Sequence, residues 1–124
     1  MTASAGVSVT TQAKVGRTRS QDVWEVKTTF TTIDGDTTGA AAIPLNGLLQ
    51  QIIVEVPDMA DGEDTLDVSL TDNDDTTVWA VTNLTQGADY AYSVYLPFSE
   101  EVNIVLAHDD PNAAVVMVVT LRGI

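Results

Sequence analysis

The chain has no cysteine, one histidine and only five lysine and arginine side chains against 18 carboxylates in 124 residues. The lack of thiols excludes a disulfide scaffold, a thiolate zinc site and a cysteine nucleophile. The formal net charge of −13 disfavours nucleic acid and anionic membranes as partners, because they repel a surface of the same sign. A single imidazole also leaves a zinc site without enough ligands. We expect no catalytic residues, no metal ion and no cofactor.

Long hydrophobic runs are absent as well. Nothing in the sequence is long enough to span a bilayer, and residues 1–22 lack the continuous apolar core of a secretory signal. No stretch of roughly 11 residues or more has the apolar spacing of an amphipathic helix. We therefore expect an all-β protein that is made in a cytoplasm and has no membrane partner.

Apolar residues instead recur with a period of two along most of the chain after residue 22, as in residues 24–30 and 52–56. This alternation is typical of strands that have one face on a core and one in water. The run from Ala113 to Leu121 is apolar on both faces, which predicts a central strand. Strands are predicted near 23–33, 38–45, 48–56, 64–71, 76–82, 88–96, 101–107 and 113–122.

These runs recur about every 10–13 residues, which is the rhythm of a β-sandwich. We predict two packed antiparallel sheets over residues 23–124, either jelly-roll or immunoglobulin-like, although the Cys…Trp…Cys pattern of a true immunoglobulin domain is missing. Asn46–Gly47 is the strongest signal for a tight hairpin, and Asp72–Asp75 and Gln86–Gly87 predict further turns.

Residues 1–22 differ from the rest of the chain in charge and composition. Lys14, Arg17 and Arg19 against Asp22 give this segment a net charge of +3 − 1 = +2, whereas the remainder carries 2 − 17 = −15. The segment is rich in Ser, Thr, Ala and Gly and lacks the apolar content to fold alone. We predict an extended N-terminal arm that is either a frayed terminus or becomes ordered on an acidic neighbour through Lys14, Arg17 and Arg19.

The carboxylates allow two interpretations of their own. Thirteen of the 18 are Asp, and lysine occurs only twice. Such a composition either serves simple solubility or resembles that of proteins from high-salt cytoplasms, where dense salt screens the repulsion between carboxylates. We expect a halophilic or marine origin.

The residues that could carry chemistry are few. His108 is followed by Asp109 and Asp110, but a catalytic triad would have to recruit a serine from elsewhere, and no G-x-S-x-G elbow accompanies any serine. The candidate serines are Ser69, Ser93 and Ser99. Paired carboxylates for glycoside cleavage are a further possibility that sequence alone leaves open.

Two binding functions are alternatives. The Asp72–Asp75 stretch, and the turn with Asp61, Glu63 and Asp64, offer hard oxygens for calcium, but neither has the Gly and distal Glu of an EF-hand loop. Aromatic side chains for stacking on a sugar are Trp79, Tyr90, Tyr92, Tyr95 and Phe98. Since Tyr95 points opposite to Tyr90 and Tyr92 on an alternating strand, one continuous platform is not expected.

The middle of the chain resembles small virion proteins of tailed viruses. Residues 46–54 (NGLLQQIIV) are similar to their NG-x-I-x-x-I strand, and residues 64–74 (DTLDVSLTDND) to their D-x-x-L-T-L-x-D-x-D/G strand and turn. The run from Tyr90 to Leu96, the break at Pro97 and the valine-rich last strand extend the resemblance over roughly residues 23–122. The chain departs from the pattern at Asn73–Asp75, where a glycine is often found.

The resemblance implies a non-enzymatic β-sandwich that decorates or cements the surface of an icosahedral capsid, often as a trimer. Its partners would be the major capsid protein or other virion proteins, together with further copies of itself, and it would be assembled in the host cytoplasm. A tail or neck protein of the same virion and a free-standing carbohydrate-binding module are the alternatives.

Overall fold

The computed structural model describes residues 6–14, 23–32, 35, 37–59, 65–109 and 114–124. These residues form nine strands joined by turns and contain no helix, hence no helix that could cross a membrane. The strands are β1 (Gly6–Lys14), β2 (Val23–Thr31), β3 (Thr38–Pro44), β4 (Gly47–Val56), β5 (Thr65–Thr71), β6 (Thr77–Thr85), β7 (Ala88–Phe98), β8 (Glu101–His108) and β9 (Val116–Gly123).

The strands make two antiparallel sheets that pack face to face. The five-stranded sheet has the order β1-β2-β9-β4-β7, and the four-stranded sheet has the order β3-β8-β5-β6. Counted from β2, one sheet thus holds the first, eighth, third and sixth strands and the other holds the second, seventh, fourth and fifth. This is the strand order of a jelly roll, the eight-stranded double Greek key. The predicted all-β sandwich is confirmed, and of its two predicted forms the structure has the jelly roll.

All eight predicted strands are present as β2 to β9, with ends that differ from the prediction by a few residues at most. The run that is apolar on both faces becomes β9, which lies in the centre of the five-stranded sheet between β2 and β4. β1 is an additional strand within the segment predicted as an arm. It pairs with β2 over the whole of Gly6–Lys14.

The core lies between the sheets and is filled from every second position of the strands, as the alternation predicts. Phe30, Ile52 and Met117 are fully buried in the five-stranded sheet, and Leu66 and Ile104 are fully buried in the other. Burial of one such side chain stabilises a fold by roughly 1.5–3 kcal/mol. The jelly roll can therefore be stable without a metal ion or a disulfide.

The prediction of a hairpin at Asn46–Gly47 is wrong, because β3 and β4 belong to different sheets. The link between them is tied to the β7–β8 connection instead. The backbone N–H of Leu45 donates to the carbonyl of Glu100 (3.0 Å), and the N–H of Glu100 donates to the Asn46 side-chain oxygen (2.9 Å). The Asn-Gly pair thus serves a turn that crosses from one sheet to the other.

Two glycines let the chain pass close to Trp24 where β4 begins and β9 ends. A Cβ on Gly47 would lie 2.8 Å from the carbonyl oxygen of Ile124, and a Cβ on Gly123 would overlap the carbonyl oxygen of Leu48. Leu48 and Ile124 exchange two backbone hydrogen bonds, of 2.9 and 3.0 Å. Glycine is therefore required here because the two backbones and the indole leave no room for a side chain.

Candidate functional site

His108 lies on the inward face at the end of β8, where it is 9% exposed. Its Nδ1 is 2.8 Å from the backbone oxygen of Asp109. Ser69 and Ser93 lie on the outward faces of β5 and β7, and Ser99 lies at the opposite end of the sandwich. The structure thus separates His108 from all three candidate serines, and a triad with them is excluded.

A small depression of about 190 Å³ lies beside His108 and is lined also by Thr65, Asp67 and Asp109. Its carboxylates hold the backbone: Asp109 accepts the N–H of Thr65 (3.0 Å) and Asp67 accepts the N–H of Asn83 (2.8 Å). The second bond supports a bulge in β6, where Asn83 has a φ of 57°. Both acids therefore have local structural roles.

The Asp72–Asp75 turn, which joins β5 to β6, is closed by the Asp72 carboxylate. This carboxylate accepts the N–H groups of Asp74 and Thr76, each at 2.9 Å. That arrangement is an Asx turn that holds the backbone. Within the described residues, no three His, Cys, Asp or Glu side chains are grouped so that they could hold a metal ion. Asp61, Glu63 and Asp64, the second predicted oxygen cluster, lie outside the described residues.

The aromatic candidates do not form one platform. Trp79 of β6 and Tyr92 of β7 contact each other edge to face across the open side of the sandwich, with ring centroids 5.3 Å apart. The Tyr90 hydroxyl accepts the N–H of Thr85 (3.1 Å) and thereby braces the β6–β7 turn. Phe98 is buried, and Tyr95 lies on the outward face with 77% of its surface exposed. The expectation that Tyr95 points away from Tyr90 and Tyr92 is confirmed.

The outward face of the four-stranded sheet is uncharged across its middle. Ala40, Val105, Ser69 and Ala80 form one row of partners across all four strands. A wide depression of about 430 Å³ extends from this row over β3 and β8, with Asp75 and Glu101 at its margin. No titratable groups converge at the row itself, so this face offers a contact area more than a reaction site.

The outward face of the five-stranded sheet carries both cationic side chains that the structure describes, Lys27 and Arg122. Arg122 donates to Glu25 (2.7 Å) and to Gln51 (3.2 Å), so that β2, β9 and β4 are joined by one polar row. The ion pair is partly exposed and contributes at most about 1 kcal/mol. The middles of the two outward faces therefore differ: that of the five-stranded sheet is ionic and that of the four-stranded sheet is neutral.

Of the predicted interface cations, Lys14 ends β1, but its side chain and the whole of Arg17 and Arg19 lie outside the described residues. The arm interface accordingly stays a prediction. Sequence reasoning missed the neutral row and the edge formed by β6 and β7. A count of charges was available as a signal, since residues 77–98 contain one charged side chain, Asp89.

Known proteins are similar to this chain in fold but not in sequence. No family model and no curated protein matches the sequence. Among solved structures, the chain is similar to the subunit of disulfide-linked pili from Bacillus endospore appendages, with a TM-score of 0.51 and 11% identity over 99% of this chain and 94% of that chain.

Two further solved structures have lower TM-scores. A fucose-binding module of Streptococcus pneumoniae, SpX-3, gives 0.46 with 14% identity over 74% of this chain and 70% of that chain. The VP2 subviral particle protein of infectious bursal disease virus gives 0.39 with 14% identity over 96% of this chain and 33% of that chain. At these identities the similarity concerns the fold alone. The class that the geometry defines is a jelly-roll domain of a kind found in structural and in binding proteins.

Proposed function

We propose that this protein is a non-enzymatic structural protein of a virion, which decorates or cements an icosahedral capsid through contacts with the shell and with other copies of itself. The observation that carries the proposal is the distribution of charge over the jelly roll. Most described carboxylates lie in turns and at strand ends, while the middle of one sheet face and two adjacent edge strands are nearly uncharged. Neutral surfaces of this kind suit subunit contacts.

Two other observations support it. The resemblance of residues 46–54 and 64–74 to small virion proteins of tailed viruses points to the same role. The pilus subunit of similar fold comes from disulfide-linked pili. This chain has no cysteine, so no disulfide bond could link its copies, and noncovalent contacts would have to do so. Symmetry repeats each contact over a shell, and many weak contacts then add up to stable attachment.

The proposal is tested by the number of copies on purified particles, measured by quantitative mass spectrometry against the major capsid protein. A decoration protein is expected in hundreds of copies, in a fixed ratio to the shell subunit. A count of roughly six or twelve would instead assign the protein to the tail or neck, where rings of that symmetry occur. Absence from particles would refute a virion role altogether.

The cationic arm forms the second part of the proposal. We expect Lys14, Arg17 and Arg19 to attach the acidic body to an acidic neighbour, with trimers as the form on the shell. Deleting residues 1–20 also removes the whole of β1, so the sharper variant is K14Q/R17Q/R19Q, which keeps the strand. The triple variant should occupy fewer shell sites, and the loss should shrink in high salt because salt screens the same charges. Unchanged occupancy would show that the arm charges have no such role.

A carbohydrate-binding module is the alternative that the half-buried Trp79–Tyr92 pair favours, since rings of this type stack on sugars. A glycan array distinguishes the two functions. A clear hit that W79A abolishes would support the module, and a blank array together with a high copy number would support the shell protein.

A further inference from the structure

The side of the sandwich where β6 and β7 lie together has unpaired strand edges in both sheets. β7 ends the five-stranded sheet and β6 ends the four-stranded sheet, and no other strand of the described residues pairs with their outer edges. The Trp79–Tyr92 contact and the bond from Thr85 to Tyr90 show that these two edges adjoin. We call this surface, Thr77–Thr85 with Ala88–Phe98, the β6–β7 edge.

We propose that a second copy of this chain docks on the β6–β7 edge and pairs with the free side of β7. This inference rests on the proposed assembly role and adds to it the surface through which copies meet. Backbone N–H and C=O groups along an unpaired strand form a ready template for another strand. A second copy can supply such a strand from its own edges without any rearrangement.

The first argument is the protection that each edge strand has. Edge strands are commonly shielded by charges, proline or bulges. β6 has a bulge at Asn83, and the shorter β3 ends at Pro44. β7 has Asp89, an irregular register between Ser93 and Leu96, and Pro97 near its end, but over the six residues Ala88–Ser93 it pairs regularly with β4 and leaves its outer edge open. β3 is equally unprotected over Thr38–Ile43, so β7 is distinguished by the apolar surface beside it.

The second argument is electrostatic. Copies with a net charge of −13 repel each other, so a contact between them is least costly where charge is lowest. Only Asp89 is charged between residues 77 and 98, while 23 of the 124 residues in the whole chain are charged. Acidic turns lie just beyond this stretch at Asp72–Asp75 and at Glu100 and Glu101. The β6–β7 edge is thus one surface on which a like-charged copy can approach closely, as is the uncharged edge strand β3.

The third argument is incomplete burial. Inward-facing side chains of the central strands, such as Ile52 and Leu70, are fully buried. Most of those of β6 and β7 pack against the core but keep part of their surface in water, although they are apolar or aromatic. They are Trp79, Val81, Tyr90, Tyr92, Val94 and Leu96. A partner at this edge would remove that surface from water and so gain the free energy that the isolated chain lacks.

The experiment compares two double variants that place the same charges on opposite edges. A80E/A91E adds two carboxylates to β6 and β7, and A40E/A42E adds two to β3; all four alanines are exposed. Full-length protein is studied by sedimentation velocity from micromolar to about 0.2 mM, in about 0.15 M and about 1 M salt. Circular dichroism confirms that each variant is folded.

The wild type should associate more tightly in high salt, where screening weakens the repulsion between copies. A80E/A91E should raise the dissociation constant by roughly tenfold or more, about 1.4 kcal/mol or more, while A40E/A42E should leave it within about twofold. Backbone amides of β7 should exchange hydrogen more slowly at high protein concentration.

A wild type that stays monomeric under all these conditions, or equal weakening by both double variants, would overturn the inference. Its failure is distinct from failure of the proposed function. A monomeric protein found in hundreds of copies on particles would retain the virion role and lose the β6–β7 contact. An edge-dependent oligomer that is absent from particles would retain the contact and lose the virion role.

Discussion

The buried hydroxyl of Thr28 should lower the stability of the core, and this can be tested by substitution. It lies on the inward face of β2, is 0% exposed, and its Oγ1 has no hydrogen-bond partner among the described residues. A buried hydroxyl that has left water without finding a partner costs about 1–3 kcal/mol. Its neighbours on the same face, Val26 and Phe30, are apolar and offer no compensation. We therefore expect T28V to be more stable than the wild type.

The expected gain follows from two contributions. Removing the unpaired hydroxyl recovers most of its desolvation cost, and the new methyl group fills the same space with apolar contact. Together they should raise the free energy of unfolding by about 1–2 kcal/mol. For a domain of this size, that corresponds to an increase in Tm of about 4–8 °C. Urea unfolding followed by circular dichroism measures the free energy, and a thermal scan measures Tm.

Two control variants separate the causes. T28S keeps the hydroxyl and deletes the methyl, so it should lose about 1 kcal/mol. T29V makes the same change as T28V on the half-exposed outward face, where we expect less than about 0.5 kcal/mol. If T28V were less stable than the wild type while T29V was neutral, the Thr28 hydroxyl would have to form a hydrogen bond in the folded protein, and the reasoning would be refuted.

Three further predictions concern other parts of the domain. G123A should destabilise the fold by at least about 2 kcal/mol, because the added Cβ would overlap the Leu48 carbonyl oxygen. Urea unfolding measures this loss of stability. A neutral effect would contradict the close approach of β4 and β9. Tm should rise from dilute buffer to molar salt as screening reduces self-repulsion at a net charge of −13, and a flat Tm would count against this account. Burial, with a smaller effect of Tyr90, raises the pKa of Tyr92 above its ordinary 10.0. The folded state therefore favours the neutral phenol. The stability that this preference contributes is fully present below pH 10.0 and is lost as the pH rises through the raised pKa of Tyr92. In alkaline unfolding titrations, the wild type should therefore lose stability relative to Y92F. Parallel alkaline loss in both proteins would exclude Tyr92 as its source.

Much of the fold could be predicted because alternation is a local signal. The inward positions of β2, from Trp24 to Phe30, are visible in seven consecutive residues, and the doubly apolar Ala113–Leu121 run indicated the central place of β9. β1, which pairs with β2, was missed because Gly6–Lys14 has no large apolar residue apart from two valines, too few to indicate a strand. Alternation of large apolar residues does not identify an edge strand of this composition.

Strand order could not be predicted, since a local pattern does not say which strand is the partner. The Asn46–Gly47 turn illustrates this limit: its chemistry indicates a tight reversal but does not decide whether the strands pair or cross between sheets. The candidate surface was missed for a related reason. Ala40, Val105, Ser69 and Ala80 come from four separate segments, and they become one row only when the register is known.

The topology also sets when the domain can fold. Among the described strands, β1–β2 and β5–β6 are the two ladders between consecutive strands, and the other five join strands that are far apart in the chain. Trp24, for example, lies opposite Gly123. Because β9 is the last of the described strands to be synthesised and lies between β2 and β4, the five-stranded sheet cannot form until β9 has left the ribosome. Folding should also be slow, on the millisecond to second scale typical of nonlocal β topologies. Until β9 emerges, the nascent chain has exposed strand edges that a chaperone would have to cover.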